Sequence, residues 1–217
     1  NLVQVLLATV DKEFAPNWSL LLLWASLANA IPITFWTIAL IYSHPEILAK
    51  IRAEMACVLM ADRAVSETNF VQLSYLKQCV LEAIRLHSPG IISRRVVQEV
   101  TVQGYTIPPG DLLMVSPYWA HRDPESFPEP QIFKPERWSG MEKNVFPEEF
   151  LAFGGGRYQC PGRWFALMEI HLYVAVFVSM FDCQLLNGIP DVCTLHVVGT
   201  QQPVHPCPVL LVNRLSL

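Results

Sequence analysis

The stretch FGGGRYQCPGRWFA, Phe153 to Ala166, sets a single cysteine, Cys160, between a run of glycines and the start of an apolar helical segment. A cysteine at a helix amino terminus is held as thiolate by the helix dipole and by backbone N–H groups that have no partner within the helix. Such a thiolate can ligate a metal, and the same N–H groups damp its reactivity and tune an iron behind it. Gly154, Gly155 and Gly156 lack the Cβ that would hold the backbone away from a flat macrocycle. Taken alone, the loop describes a structural cysteine beside a glycine-rich turn equally well.

Upstream, Glu82 and Arg85 lie three apart in LEAIRLH and share one helix face. Both interrupt an apolar stretch, where a charge requires a partner. An isolated E-x-x-R is ordinarily a surface ion pair. Here FKPERW supplies Arg137, a further guanidinium able to close a Glu82–Arg85–Arg137 network.

The chain that must position these groups has 217 residues, enough to bury a sizeable core. Hydrophobic residues make up 52% and charged residues 16%, against about 25% charged in a soluble domain. Mean hydropathy is positive. Such a chain is globular but greasier than a free-standing protein, so it contacts a membrane or lacks a partner that covers apolar surface. A net charge of −4 gives no pointer to nucleic acid. The six cysteines show no C-x-x-C pair and no zinc-site spacing, which points to a reducing compartment rather than a disulfide framework. The sequence opens on Asn1 with no signal peptide ahead of the first helix, and is expected to begin partway through a longer protein.

From Trp18 to Ser43 runs WSLLLLWASLANAIPITFWTIALIYS, without a charge. Hydropathy alone makes it a spanning helix, which needs about 20 apolar residues. Asn29 and Pro32 near its middle, a polar spine of Ser26, Asn29 and Thr34, and weak basic flanks (Lys50, Arg52) favour a buried core helix instead. Pro45 then suits the first turn of a helix over 45–60, with Ile47, Ile51, Met55 and Val58 on one side. Residues 69–87 read as another helix, stopped by Ser88-Pro89-Gly90. From Arg94 to Asp123 the period changes to alternation with Gly and Pro turns, the mark of a short-stranded sheet. Residues 122–150 read as a long proline-rich surface loop. A helix is expected from about Gly162 to Phe181, and a few strands in 183–217. The whole is α+β, mainly α, without an internal domain boundary.

The apolar central helix, His44-Pro45-Glu46, E-x-x-R, His121-Arg122-Asp123-Pro124, Pro135-Glu136-Arg137-Trp138 and the cysteine loop, in this order and spacing, together resemble the cytochrome P-450 family. The resemblance covers nearly the whole chain. It implies the carboxy-terminal half of that fold: a long distal helix, a short mixed sheet, the cysteine loop and a proximal helix. Residues 1–217 would then form a partial domain whose amino-terminal half is missing, and family members are about twice as long.

In that family Cys160 would be the axial ligand of haem b (iron protoporphyrin IX). Phe153 would pack near the sulfur, with Gly154 and Gly156 in the loop around it. Arg94 or Arg95 would reach a propionate, and Glu82, Arg85 and Arg137 would form the charge network holding the loop. His121 and Arg122 would be structural or on the propionate side. His171 and the remaining cysteines are expected to be core residues.

Two positions depart from the family pattern. Tyr158 stands where an arginine is usual, and it can hydrogen-bond a propionate but brings no charge. Ala28 and Asn29 stand where an acid and a threonine usually relay protons on the distal side. An amide can donate there but relays protons poorly. Pro32 should open the helix locally.

The A-N-x-x-P pattern resembles the sterol 7α-hydroxylase branch, which also takes in prostacyclin-synthase relatives. Within it the distal run, PPGDLLMVSP and QCPGRWFALMEI are similar to oxysterol hydroxylases. This implies a monooxygenase acting on a sterol or oxysterol at carbon 7 with O2, and NADPH-cytochrome reductase as electron donor. It also implies a place on the cytosolic face of the endoplasmic reticulum membrane, held there through the missing amino-terminal part. Two other readings are a haem-thiolate isomerase of a lipid peroxide, which the Ala28–Asn29 pair permits, and a non-enzymatic membrane protein anchored by residues 18–43. The 217 residues alone are expected to be unstable and inactive.

Overall fold

The computed structural model describes residues 2–61, 72–140, 147–195 and 199–214. Four helices come first: α1 (Leu2–Thr9), α2 (Ala15–Leu27), α3 (Ala30–Tyr42) and α4 (Pro45–Ala61). They are followed by α5 (Ser74–His87), then β1 (Ile92–Arg95), β2 (Val100–Val102), β3 (Tyr105–Ile107) and β4 (Leu112–Val115). A short α6 (Pro117–Ala120), a 3-10 turn over Pro135–Trp138 and the long α7 (Arg163–Met180) precede a final pair, β5 (Phe181–Leu185) and β6 (Val209–Asn213).

The apolar run that the sequence presents as one helix is two. Residues Ala28 and Asn29 form a turn between α2 and α3. Pro32 supplies the reason, since its ring would clash with the carbonyl four residues back, that of Ala28, and it offers no N–H to the helix. The halves also differ in environment. In α3, Ala30, Ile33, Trp36, Thr37, Ala39, Leu40 and Ile41 are buried, whereas Leu20, Leu21, Leu23 and Trp24 of α2 are exposed. Of the run 18–43 expected to be a core helix, the part from 30 to 42 is covered in this chain and the part from 18 to 27 is largely exposed.

His44 turns the chain into α4. Its Nδ1 donates to the Leu40 carbonyl at 2.7 Å, satisfying an acceptor that the end of α3 leaves open. Pro45 begins α4 and Glu46 lies in its first turn, both favourable at an amino terminus. Ile47, Ile51, Met55 and Val58 are all buried. In α5 the described helix starts at Ser74, and residues 69–71 of the expected helix lie outside the described residues. Its second half, Cys79 to His87, is buried on every side.

Among the described residues the strands form three separate antiparallel ladders: β1 with β4, β2 with β3, β5 with β6. The β2–β3 link is a two-residue turn in which Gln103 and Gly104 both take positive φ, 50° and 84°, the twist that suits a hairpin. The tail holds one ladder and an isolated bridge, Val192 to Pro203; residues 196–198 lie outside the described residues.

Residues 122–150 are not the surface loop that their lack of period suggests. Phe127, Phe133, Trp138 and Phe150 are buried in the core between α5 and the cysteine loop. Backbone carbonyls at Pro128, Glu129, Pro130 and Ile132 accept from Arg85 and Arg137, which lets an irregular segment lie against the core without orphaned acceptors. Residues 141–146 of this stretch lie outside the described residues.

Helices α3 and α7 pack along each other. Tyr42 at the end of α3 meets Phe177 near the end of α7 edge-to-face at 5.9 Å, and its hydroxyl donates to the Phe181 carbonyl. The two helices thus run in the same sense. Asn29, just before α3, and Cys160, just before α7, lie toward the same end of the molecule.

Candidate functional site

The cysteine loop closes on itself. The Cys160 N–H donates to the Phe153 carbonyl at 2.7 Å, and Gly154 N–H reaches Leu151 O at 2.9 Å. Gly154 and Gly156 take φ of 74° and 63°, a region that costs an L side chain about 1–2 kcal/mol. Cys160 ends the loop as a free, exposed cysteine two residues ahead of Gly162, the cap of α7. Arg163 Nη1 donates back to the Cys160 carbonyl at 3.0 Å. Phe153 is half-buried and its ring meets that of Phe150 at 6.3 Å.

Tyr158, exposed at the loop's outer side, has two guanidiniums against its ring. Those of Arg94 and Arg157 stand 5.0 and 5.2 Å from its centroid. Arg94 pairs with Leu113 across the β1–β4 ladder and Arg95 with Leu112, so these two arginines project to opposite faces. Arg94 is the one beside the cysteine loop, while Arg95 is exposed on the other face.

Behind the loop lies a buried charge cluster. Glu82 and Arg85 both have 0% side-chain exposure. Arg85 Nε and Nη2 donate to the two oxygens of Glu82 at 2.9 and 2.8 Å, a bidentate pair. Arg137 Nε joins at 2.9 Å, Trp138 Nε1 at 2.9 Å and the Lys134 N–H at 3.1 Å. Five donors on one carboxylate answer the desolvation that a buried charge otherwise suffers. Arg85 Nη1 goes on to the carbonyls of His121 and Pro130 at 2.6 and 2.8 Å.

His121 carries the cluster to the loop. Its Nδ1 donates to the Arg85 carbonyl at 3.1 Å and its Nε2 accepts from Leu151 N–H at 2.9 Å. Those two partners fix one neutral tautomer. Burial, with Arg85 and Arg122 nearby, pushes its pKa down to about 4 against the opposing bond to the Arg85 backbone. Arg122 Nη2 donates to the Leu86 carbonyl at 2.8 Å, and its guanidinium stands 3.9 Å from the Tyr118 ring. His87 stacks on Trp36 at 4.1 Å; burial and then Arg122 lower its pKa to about 3.

At the turn before α3, Ala28 is half-buried and Asn29 exposed. The Asn29 Oδ1 accepts from the Thr200 N–H at 3.1 Å. Of the cysteines expected in the core, only Cys79 is fully buried and Cys57 is exposed, because it falls on the outer face of α4. His171 is half-buried and depressed to about 4, chiefly by burial.

The motif residues Glu82, Arg85 and Arg137 thus come together in space, as do Cys160, Phe153, Gly154, Gly156, Tyr158 and Arg94. Sequence reasoning missed the Trp138 donor and the His121–Leu151 bond, though both residues sit inside motifs it singled out. It missed Thr200 entirely, for which no local signal exists.

A haem demands an accessible sulfur, backbone able to approach its flat face, apolar walls and cations for its carboxylates. The exposed Cys160, the two glycines at positive φ, exposed Leu27 and Ile31 at the same end, and Arg94 beside Tyr158 fit that group. This is the framework of a haem-thiolate protein. The family model for cytochrome P-450 matches residues 15–205, and the chain belongs to that family, which implies a haem-iron cofactor.

Among known relatives, the 24-hydroxycholesterol 7-alpha-hydroxylase of Homo sapiens is 46% identical over 99% of this chain and 49% of that protein. The Mus musculus protein of the same description is 45% identical over 95% of the chain and 46% of its own length. An isoflavone 2'-hydroxylase of Glycyrrhiza echinata is 34% identical over 70% of the chain and 30% of its length. A solved structure of retinoic acid bound cyanobacterial CYP120A1 superposes with a TM-score of 0.82 at 28% identity, covering 97% of this chain and 50% of that one. The chain spans about half the length of the curated relatives it matches, and its fold is a part of the cytochrome P-450 fold, mainly helical.

Proposed function

We propose that this chain is the haem-holding, carboxy-terminal part of a monooxygenase that hydroxylates a sterol or oxysterol, at carbon 7. The observation that carries the reading is the exposed Cys160 thiol at the end of a closed glycine loop, fastened from behind through His121 to the Glu82 cluster. The two 24-hydroxycholesterol 7-alpha-hydroxylases at 46% and 45% identity support the substrate class.

Cys160 would ligate the iron of haem b, with Phe153 near the sulfur and Gly154 and Gly156 allowing close approach of the backbone. Tyr158, and one of Arg94 and Arg95, would meet the propionates, with Arg94 the one that stands against Tyr158. Glu82, Arg85 and Arg137 hold the loop. Haem, when bound, supplies activation of O2 with electrons drawn from NADPH through a cytochrome reductase. Asn29 and Ala28 line the distal side, where the Asn29 amide donates a hydrogen bond but moves no proton as an acid would. Exposed Leu20, Leu23 and Trp24 on α2, and Trp164, Phe165 and Met168 on α7, leave apolar surface for further polypeptide. The chain by itself is therefore inactive. In a complete protein, membrane attachment would come from outside these residues and place the enzyme on the endoplasmic reticulum, facing the cytosol.

The test is the carbon monoxide difference spectrum of the reduced, haem-supplied chain beside Cys160→Ser, followed by reductase- and NADPH-dependent conversion of 24-hydroxycholesterol by the complete polypeptide. A red-shifted Soret band lost in the serine variant is expected. Its absence from the parent sinks the haem-holding role. The Ala28–Asn29 pair favours a second reading, an isomerase of a lipid peroxide. Turnover of a peroxide without reductase or NADPH would select it.

A further inference from the structure

Gly199, Thr200 and Gln201 belong to no sequence motif, yet they are fastened at three points. Thr200 and Gln201 are 2% and 4% exposed. The Gln201 N–H donates to the His87 carbonyl at 2.9 Å, and Trp36 Nε1 donates to the Gln201 carbonyl at 2.8 Å. Trp36 itself lies flat on His87. The segment is thus pinned to α3 and to the end of α5.

From that base it grips Asn29. The Thr200 N–H reaches Asn29 Oδ1 at 3.1 Å, and its hydroxyl stands 3.3 Å from Oδ1 and 3.4 Å from the Asn29 carbonyl. A backbone N–H only donates, so the amide oxygen must be the atom facing Thr200. Gly199 makes room for this. It has φ of 74°, and a Cβ there would lie 2.5 Å from Asn29 Oδ1.

Asn29 is the cap residue of α3, where an asparagine side chain ordinarily accepts from the second or third helical N–H. The third residue here is Pro32, which has none, and the side chain makes no cap bond. The second, Ile31, has an N–H, but the amide oxygen accepts from Thr200 instead. The Asn29 Nδ2 has no hydrogen bond among the described residues. An asparagine amide turns about a broad, two-fold torsion, so without a fixed partner either its oxygen or its nitrogen could face away from Thr200.

We propose that Thr200, seated behind Gly199, is a positioning residue. It holds the Asn29 oxygen so that the amide N–H groups, and not the oxygen, are offered to a ligand on the distal side of the haem. This rests on the reading of Asn29 as a distal residue.

The carbon monoxide adduct of the reduced, haem-loaded protein tests it without turnover, because its C–O stretch falls when a donor points at the ligand. Asn29→Ala is expected to raise the stretch. Gly199→Ala, which drives a methyl onto the amide oxygen, should move it to or toward that value, and Thr200→Val, which removes the hydroxyl but keeps the N–H, should move it part of the way. Thr200→Ser should match the parent, and each comparison counts only where the thiolate-type Soret band is retained. Should Gly199→Ala lose the cofactor, Thr200→Val reads the share of the hydroxyl, and amide hydrogen exchange at Thr200 decides the share of the backbone N–H. A stretch shifted in Asn29→Ala but untouched in both other variants overturns the positioning role. A stretch untouched in Asn29→Ala overturns the distal assignment itself, and with it the proposal.

Amide hydrogen exchange at Thr200 reads the clasp independently of haem. Exchange about tenfold faster in Asn29→Ala is expected. Equal exchange in the two proteins rules the clasp out.

Discussion

The Nε2 of His121 and the backbone N–H of Leu151 are 2.9 Å apart, and that bond joins two parts of the molecule that share no motif. On the far side of the same imidazole, Nδ1 donates to the carbonyl of Arg85. The ring therefore transmits the position of the buried Glu82–Arg85 pair to the base of the cysteine loop, nine residues before the sulfur. Stacking of the ring on Phe150 at 5.3 Å holds its plane.

Replacing His121 by Phe keeps the stack and removes both bonds. The half-buried Leu151 N–H loses its partner, a loss toward the lower end of the about 1–3 kcal/mol of a fully buried donor. A lowered urea midpoint is expected, together with weaker haem retention on dilution. Unchanged haem retention would show that the loop holds its shape without the imidazole.

Glu82→Gln leaves Arg85 and Arg137 facing an uncharged amide. Breaking a buried ion pair on one side costs about 3–5 kcal/mol, so the variant should be recovered mainly as aggregate, with the remainder unfolding at much lower denaturant. Arg137 has 9% of its side chain exposed, and Arg137→Ala should cost distinctly less than Arg85→Ala. Equal losses at the two arginines would contradict the geometry.

Acid should destabilise the fold in a defined window. Burial holds the His121 pKa near 4, below its ordinary 6.5. Above about 6.5 neither the folded nor the unfolded chain binds the proton, and the full contribution is present. As pH falls from there toward about 4, the unfolded chain takes up a proton that the folded chain refuses, so stability declines. By about pH 5 the loss from this one group is on the order of 2 kcal/mol. His87, lowered to about 3, acts in the same direction. Denaturation midpoints across this range should fall with acid for the parent and fall less for His121→Phe. Parallel slopes would assign the acid sensitivity elsewhere.

Gly156→Ala probes the loop backbone. Its φ is 63° and a Cβ there would touch no protein atom within 4 Å, so a loss of stability in the haem-free chain comes from the left-handed conformation, about 1–2 kcal/mol. In the loaded protein the methyl also stands between backbone and macrocycle. Lower haem occupancy with little change in the helical circular dichroism is the expected outcome. Full occupancy would mean that the loop relaxes to another conformation at no cost.

Much of this was legible from the residues in order. The apolar spacing of Ile47, Ile51, Met55 and Val58 determines α4, because helical periodicity and burial of one face are properties of a local segment. Glu82, Arg85 and Arg137 are matched as a network by their sequence alone, since a charge inside an apolar stretch demands a countercharge. The cysteine loop was equally plain, for its glycines and its single cysteine are contiguous.

Tertiary structure decided the rest. Whether the run from 18 to 43 is covered depends on which elements lie against it, and so α3 is buried while α2 is not. The aromatic anchors Phe127, Phe133 and Phe150 have no period to announce them, because an irregular segment is placed by its contacts and not by its own repeat. Arg94 differs from Arg95 only by which face of β1 meets the cysteine loop. The clasp of Thr200 on Asn29 joins residues 171 positions apart, and a single hydrogen bond at that separation leaves no trace in the spacing of either residue. Sequence determined the parts whose partners are near in the chain or complementary in charge; folding alone brought together those whose partners are near only in space.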